Sequence, residues 1–239
     1  MASGIYAALS GAIANESRVD ILSHNLANAH TAGFQGFRTV MESAQSKVAN
    51  KELTFAAQPL AVLDNSAGPL VNTQDPLDLA LNSGVYMGVM EGNQQGYVRG
   101  ATLIPMDDGR VLTTDGQTVL DESGAPLSIP SNVRDVNVLP DGTVLADGNM
   151  VGRLNLVKFN NEQALQQSQG RFIVDPGGAT PVNVTDGNPV MPGYLEMANI
   201  SAVKSMTDLI SAQHSYSASI KMIESIDSLE RKAASGLIG

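Results

Sequence analysis

Residues 3–29, SGIYAALSGAIANESRVDILSHNLANA, place Ile5, Leu9, Ala12, Val19, Leu22 and Leu26 at spacings of three and four, with Glu16 at one position of the seam. That period is one apolar face of a helix. No Pro interrupts the run. Ser3 precedes it as a candidate N-cap, and Gly33 follows as a candidate stop. At 1.5 Å per residue such a rod is about 40 Å long, and a stripe of that length has nothing within itself to bury against. The far end of the chain answers it. Residues 200–232 set Val203, Met206, Ile210, Ile220, Ile223, Ile226 and Leu229 at threes, fours and their near multiples, without Pro or Gly. Asn199 and Ser201 are candidate N-caps there, and Gly236 is a natural end. The expected fold is α+β, with long N- and C-terminal α-helices packed as a coiled-coil-like bundle around a central antiparallel β-rich domain. An ordinary helix pair laid on a globular core is the alternative, because an isolated two-helix hairpin is marginal in water.

Composition narrows the chemistry. The chain has 239 residues, 14 Lys+Arg against 24 Asp+Glu, and a formal net charge of −10. That balance argues against a partner recognised by phosphate neutralisation, so nucleic acid and anionic membrane are not expected. There is no Cys, which removes disulfides, thiol catalysis, zinc–thiolate sites and iron–sulfur clusters together. Aromatic residues make up 4% and Trp is absent, so small aliphatic side chains do the packing and stacking platforms are missing. The first apolar stretch, Ile5 to Leu9 with Ala12 and Ile13, has no preceding Lys or Arg and no 18-residue continuation. Neither a cleaved secretory signal nor membrane insertion is expected from it.

Between the helices the period changes. Short β-like runs at Leu77–Leu81, Val85–Met90, Tyr97–Ile104, Val111–Thr113, Val136–Leu139, Gly152–Phe159 and Phe172–Val174 alternate with turns. Five Asp-Gly pairs, at Asp108, Asp115, Asp141, Asp147 and Asp186, punctuate them and suit hairpins, since both residue types tolerate positive φ. The charge is concentrated here: residues 64–150 hold three Lys+Arg and 12 Asp+Glu. The expected division is an N-terminal helical segment 1–35, an extended or irregular connector 36–69, a β-rich domain 70–190 and a C-terminal helix 191–239.

Candidate sites of chemistry are few along the chain. Asp107-Asp108, Asp115 and Asp121-Glu122 crowd one stretch, but their spacing fits no calcium loop and suits turns and surface. His24 and His30 stand six apart on the first helix, hence on different faces, and His214 is remote. No phosphate-binding glycine loop, HExxH or GxSxG pattern occurs. Catalytic, cofactor and metal residues are therefore expected to be none. The rival reading, an acidic β-domain enzyme or glycan-binding module, requires carboxylates that meet only in three dimensions.

Residues 24–34 read His-Asn-Leu-Ala-Asn-Ala-His-Thr-Ala-Gly-Phe, and Asn25, Leu26, Ala27, Asn28, Thr31, Gly33 and Phe34 resemble the N-terminal signature of flagellar basal-body rod and hook proteins. That family usually has Pro where Ala32 stands and a basic residue where Gln35 stands. Asn28 and Gly33 tolerate left-handed backbone, so the segment is expected to end the helix and redirect the chain, with Phe34 as anchor. Asp75-Pro76-Leu77-Asp78-Leu79-Ala80-Leu81 and Gly96-Tyr97-Val98-Arg99 resemble two strands of the same family. Asn199, Val203, Met206, Ile210, Gln213, Tyr216, Ile223 and Asp227 are similar to its closing helix. His214 stands there in place of a common Arg. Within the family, the length and the start Ile5-Tyr6-Ala7-Ala8-Leu9-Ser10-Gly11 most resemble proximal-rod members, with distal-rod members as the alternative.

The resemblance implies a structural, non-enzymatic subunit of the bacterial flagellar basal body. It implies partners that are copies of itself and other rod proteins in a helical assembly, and export through the flagellar type III apparatus without a cleaved signal. The terminal helices would then form an axial core domain and residues 70–190 an outer domain. The expected assembly contacts are Ile5, Leu9, Ile13, Leu22 and Leu26 against Val203, Met206, Ile210, Ile220 and Ile223, within or between subunits. Each would bury apolar area worth about 25 cal/mol per Å².

Overall fold

The structure, a computed structural model, describes residues 2–41, 44–48, 51–55, 59–131, 133, 135–167, 173–174, 177, 179–185 and 187–236. Phe172 and Asp186, each part of an expectation above, lie outside these. Among the described residues there are two α-helices, α1 (Ala2–Ala27) and α2 (Ala202–Gly236), and they bracket a β-rich domain. The chain is α+β. By its contacts it divides into two compact units: residues 1–27, 37–62 and 201–239 form the first, and residues 28–36 and 63–200 the second. The chain therefore passes between the units four times.

In the first unit α1 and α2 pack on each other. This pair is not the coiled-coil-like bundle expected from the sequence. Among the described residues there are two long helices and no further ones to complete a bundle, and apart from Asn25 near the end of α1 the buried side chains include small ones: Ala8 and Ala12 on α1, Ser205 and Ala212 on α2. A Cβ placed on Gly11 would sit 3.8 Å from Ser219 Oγ, an ordinary contact between closely approaching helices. Coiled-coil packing seats large aliphatic knobs in holes, whereas here the large apolar residues of the expected seam turn outward. Leu9 and Ile13 are 45% and 49% exposed, and Val203, Met206 and Ile210 are 76%, 51% and 55% exposed. Ile5, Leu22, Leu26, Ile220 and Ile223 are half-buried. A stripe one position over, led by Ala, allows a closer approach than a Leu-rich one, and a reading weighted by hydrophobicity passes over it.

The helix ends also differ from expectation in detail. α1 starts at Ala2, so Ser3 lies inside it rather than capping it, and Ser201 caps α2, its hydroxyl accepting the Lys204 N–H at 3.4 Å. Along α2, the hydroxyls of Thr207, Ser215, Ser219 and Ser225 donate back to carbonyls four residues earlier at 2.8–3.0 Å, satisfying polar groups without leaving the helix. Between the helices in sequence, Phe37–Met41 pairs with Pro59–Leu63, and Ala44–Val48 pairs antiparallel with Lys51–Phe55.

The second unit is built on Val85–Glu91, which has three antiparallel partners: Gln94–Val98, Thr118–Val119 and Leu156–Phe159. From Thr118–Val119 the sheet continues through Val111–Thr113, Gly100–Pro105 and Asp78–Leu81 to Val190–Pro192. Both faces of Val85–Glu91 are covered. Val85, Met87 and Val89 join the main core with Leu79, Leu103 and Val119, while Tyr86 packs in a second cluster with Tyr97, Phe159 and Ile173. That explains a nearly continuous apolar run where a half-exposed strand would alternate. Val136–Val138, Thr143–Ala146 and Asn149–Arg153 form a separate three-stranded sheet, and Leu70–Asn72 pairs with Tyr194–Glu196.

The turns sort the Asp-Gly pairs. Among the described pairs, Asp147-Gly148 alone has positive φ at both residues (48° and 80°), joining two strands through a two-residue loop. At Gly109, Gly116 and Gly142 the glycine alone is left-handed, and its N–H closes a turn on a carbonyl three residues back, at 2.9 Å each.

Candidate functional site: the helical surface and the signature clasp

Two regions carry the residues singled out from the sequence, one in each unit. The first is the outward side of α1 and α2, where Leu9, Ile13, Val203, Met206 and Ile210 are exposed together with Met222 and Leu229. An exposed series of this kind on helices is uncommon in a surface that stays in water.

The second is the segment after α1. Asn25 faces Phe37 within the helical unit: its Oδ1 accepts the Phe37 N–H at 2.9 Å and its Nδ2 donates to the Phe37 carbonyl at 2.6 Å. A primary amide matched to a peptide unit in this way fixes both polar groups at once. In the β unit, the Thr31 N–H donates to the Asn28 carbonyl at 2.9 Å, and Gly33, at φ +71°, donates its N–H to the Glu196 carbonyl at 2.7 Å. Asn28 itself does not adopt positive φ; of the two candidates for left-handed backbone, only Gly33 does so. Phe34 is fully enclosed, as an anchor should be.

Asn199, read from the sequence as a possible helix cap, has another task. Its Oδ1 accepts the Gly36 N–H at 2.9 Å, and its Nδ2 donates to the carbonyls of Asp64 at 2.8 Å and Ser66 at 3.0 Å. The Asp64 N–H in turn reaches the Gly36 carbonyl at 2.8 Å. Residues 36, 64 and 199 each adjoin a point where the chain leaves the β unit, so one amide side chain gathers three of the four exits. Gly36 must lack a side chain for this: a Cβ there would overlap Ile200 Cδ1 and Cγ1.

Beneath the clasp lies an ion pair. The Arg99 guanidinium donates to both carboxylate oxygens of Glu196 at 3.1–3.2 Å, with the two side chains 1% and 3% exposed. The same carboxylate accepts the Gly68 N–H at 2.8 Å. Arg99 sits between Gln94–Val98 and Gly100–Pro105, so the single run expected over Tyr97–Ile104 is broken at the residue whose side chain turns inward. Its guanidinium carbon lies 5.7 Å from the centre of the Tyr86 ring. Burial, and then the charge of Glu162, push the Tyr86 phenol up from 10.0 to about 12. The fold thus favours the neutral phenol, so its contribution is complete below pH 10 and is lost as pH rises toward 12. That displacement corresponds to about 3 kcal/mol. Urea titrations across this range are expected to show a steeper alkaline loss for the wild-type chain than for Tyr86→Phe; parallel curves would contradict it.

The acidic stretch serves the turns. The Asp108 carboxylate pairs with Arg110 at 2.7 Å and accepts its backbone N–H at 3.0 Å; the side-chain bond is the main reason its acidity lies above that of an ordinary carboxyl. Asp121 accepts from the Ser123 hydroxyl at 2.6 Å and from the Ser123 and Ala125 N–H groups at 2.9 Å. Those bonds, led by the Ser123 hydroxyl, hold its pKa low. The His24 ring lies tilted against that of Phe37, their centres 5.8 Å apart, while His30 and His214 are exposed. Among the described residues, no three His, Asp or Glu side chains gather as a metal site, and no helix is long and apolar enough to cross a membrane. Sequence reasoning missed Glu196 altogether, and it missed the pairing of Arg99, quoted above only within a strand motif.

Both ends of the chain match family models: residues 5–35 match the flagella basal body rod protein model, and residues 191–236 match the flagellar basal body rod FlgEFG protein C-terminal model. Among curated relatives, the flagellar basal-body rod protein FlgF of Escherichia coli is 30% identical over 239 residues, covering 93% of each chain. FlgF of Caulobacter vibrioides is 28% identical over 243 residues, covering 99% of this chain and 98% of its own. The rod protein FlgG of Agrobacterium fabrum is 26% identical over 251 residues, covering 93% and 94%. This chain belongs to the flagellar basal-body rod protein family, is FlgF-like within it, and is a structural protein of the basal body that associates with other rod proteins.

Proposed function

We propose that the chain is a proximal-rod subunit that polymerises, with copies of itself and with other rod proteins, into the helical axial structure that carries motor torque to the hook. The observation that carries this reading is the outward apolar series Leu9, Ile13, Val203, Met206 and Ile210 on helices that the two family models cover. Those residues are the docking surface for neighbouring subunits, and half-buried Ile5, Leu22, Leu26, Ile220 and Ile223 hold α1 and α2 in the arrangement that displays it. Contacts between unlike faces of identical subunits need not close, so a filament results. The subunit performs no catalysis in this role. It reaches the rod, which crosses the periplasm, through the flagellar type III apparatus without a cleaved signal.

The test is location. An epitope-tagged chain expressed in cells lacking the untagged protein is expected to restore motility and to purify with basal bodies, with gold label on the proximal part of the rod. Label confined to the distal part would make it a distal-rod subunit. Absence from basal bodies would overturn the reading.

A further inference from the structure

One surface of the β unit is unrelated to the helices and to the clasp. A groove of about 460 Å³ is lined by Leu77, Pro105, Met106, Ile129, Val133 and Val136 together with Pro130, Ser131 and Asp107. Its floor is continuous with the main core, since Ile129 belongs to that core and Leu77, Val133 and Val136 pack against it. Met106, and Ile104 two residues before it, are 43% and 41% exposed. The size lies in the range of ligand pockets, roughly 300–1,000 Å³. Among its described lining side chains most are aliphatic, and Asp107 and Ser131 are the polar ones.

Charge defines the occupant. Residues 28–36 and 63–200 hold six Lys+Arg and sixteen Asp+Glu, whereas the helical unit holds eight of each, so the entire net charge of −10 belongs to the β unit. Each of the three segments that form the groove sets an exposed carboxylate next to its apolar lining: Asp75 precedes Leu77, Asp107 follows Met106, and Asp135 precedes Val136. Arg134 is the single cation the sequence places within these segments. Two of the unit's six cations are already committed to ion pairs, Arg99 to Glu196 and Arg110 to Asp108. Aliphatic lining side chains with Asp107 among them, and Asp75 and Asp135 close by in sequence, fit a segment that alternates aliphatic and basic side chains, and a second acidic β unit would be repelled from it.

We propose that this groove is a docking site for an extended, cationic and apolar segment of a partner protein, its aliphatic side chains in the groove and its Lys or Arg side chains against Asp75, Asp107 and Asp135. The site is independent of the helical assembly surface, so either reading can fail alone.

Because the chain has no Trp, a Trp-labelled peptide is a clean reporter. The full chain would be titrated with a Trp-tagged peptide alternating Leu/Val with Lys/Arg, and with its counterpart carrying Glu in place of Lys/Arg. The basic peptide is expected to bind with a blue-shifted emission and the acidic one not to bind. The double variant Asp107→Lys and Asp135→Lys should weaken the basic peptide roughly tenfold at low salt, and the difference should shrink in about 0.5 M salt. Met106→Asp should abolish the blue shift while far-UV circular dichroism stays unchanged. No binding of the basic peptide at millimolar concentration, equal binding of both peptides, or binding indifferent to these variants would overturn the proposal. A change in self-association of Met106→Asp in sedimentation velocity would give the groove to a second copy instead and would also overturn it.

Discussion

Arg99→Met is expected to destabilise the β unit by about 3–5 kcal/mol, the cost of leaving a buried carboxylate without its cation. Glu196 is 3% exposed and receives two guanidinium nitrogens and the Gly68 N–H. Removing the guanidinium leaves one neutral donor against a full negative charge in a site that water does not reach. Arg99→Lys keeps the charge but not the planar fork, and should recover only part of the loss. The pair Arg99→Met with Glu196→Leu removes both charges and leaves Gly68 N–H without its acceptor, which costs about 1–3 kcal/mol. Urea unfolding of the four chains at pH 7 checks the series. A loss below about 1 kcal/mol for Arg99→Met would mean that the pair does not hold the clasp together. Because the Glu196 carbonyl also accepts the Gly33 N–H, a weakened Glu196 is further expected to raise hydrogen exchange at Gly33 and Gly36 before the sheet core exchanges.

The double variant Met206→Asp with Ile210→Asp is expected to abolish incorporation into the rod while leaving the subunit folded. Both side chains are more than half exposed on α2, so each substitution should change stability by no more than about 0.5 kcal/mol. In an assembled contact the same carboxylates would be carried out of water without partners, which is prohibitive for a docking surface. Leu26→Asp is the informative contrast. Leu26 is half-buried in the helical unit, so its substitution should loosen α1 itself, and loss of assembly would come with loss of helix content. Circular dichroism melts together with basal-body purification separate the two outcomes. Incorporation of the Met206/Ile210 variant at the wild-type level would remove the outward stripe from the assembly surface.

The helices were legible because a 3.6-residue period survives in any environment, and the Asp-Gly turns were legible because few residues accept their backbone angles. The seam was not. Ala8 and Ala12 carry little hydrophobic weight in a sequence, yet they let two backbones approach, and their covered stripe leaves Leu9 and Ile13 outside. The run Tyr97–Ile104 looked continuous because Arg99 is one residue in an apolar stretch. The sequence does not tell that its side chain turns inward to a carboxylate almost a hundred positions away. Asn199 precedes the expected helix but serves another partner: Ser201 caps α2, and Asn199 binds Gly36, Asp64 and Ser66.

What the amino-acid order determined by itself was local and compositional: two long helices, several strands of the second unit but not those between Phe37 and Leu63, the absence of thiol chemistry, the concentration of negative charge, and a signature around Asn25–Phe34 that led to the family. What only the tertiary structure decided was which face of each helix is covered, how Asn199 and the Arg99–Glu196 pair gather segments distant in sequence, and how Leu77, Met106, Asp107 and Val136 come to line one groove. The division has a physical cause. Backbone preference and periodicity are set by near neighbours, whereas burial, ion pairing and amide bridging depend on distances between residues that the linear order leaves free.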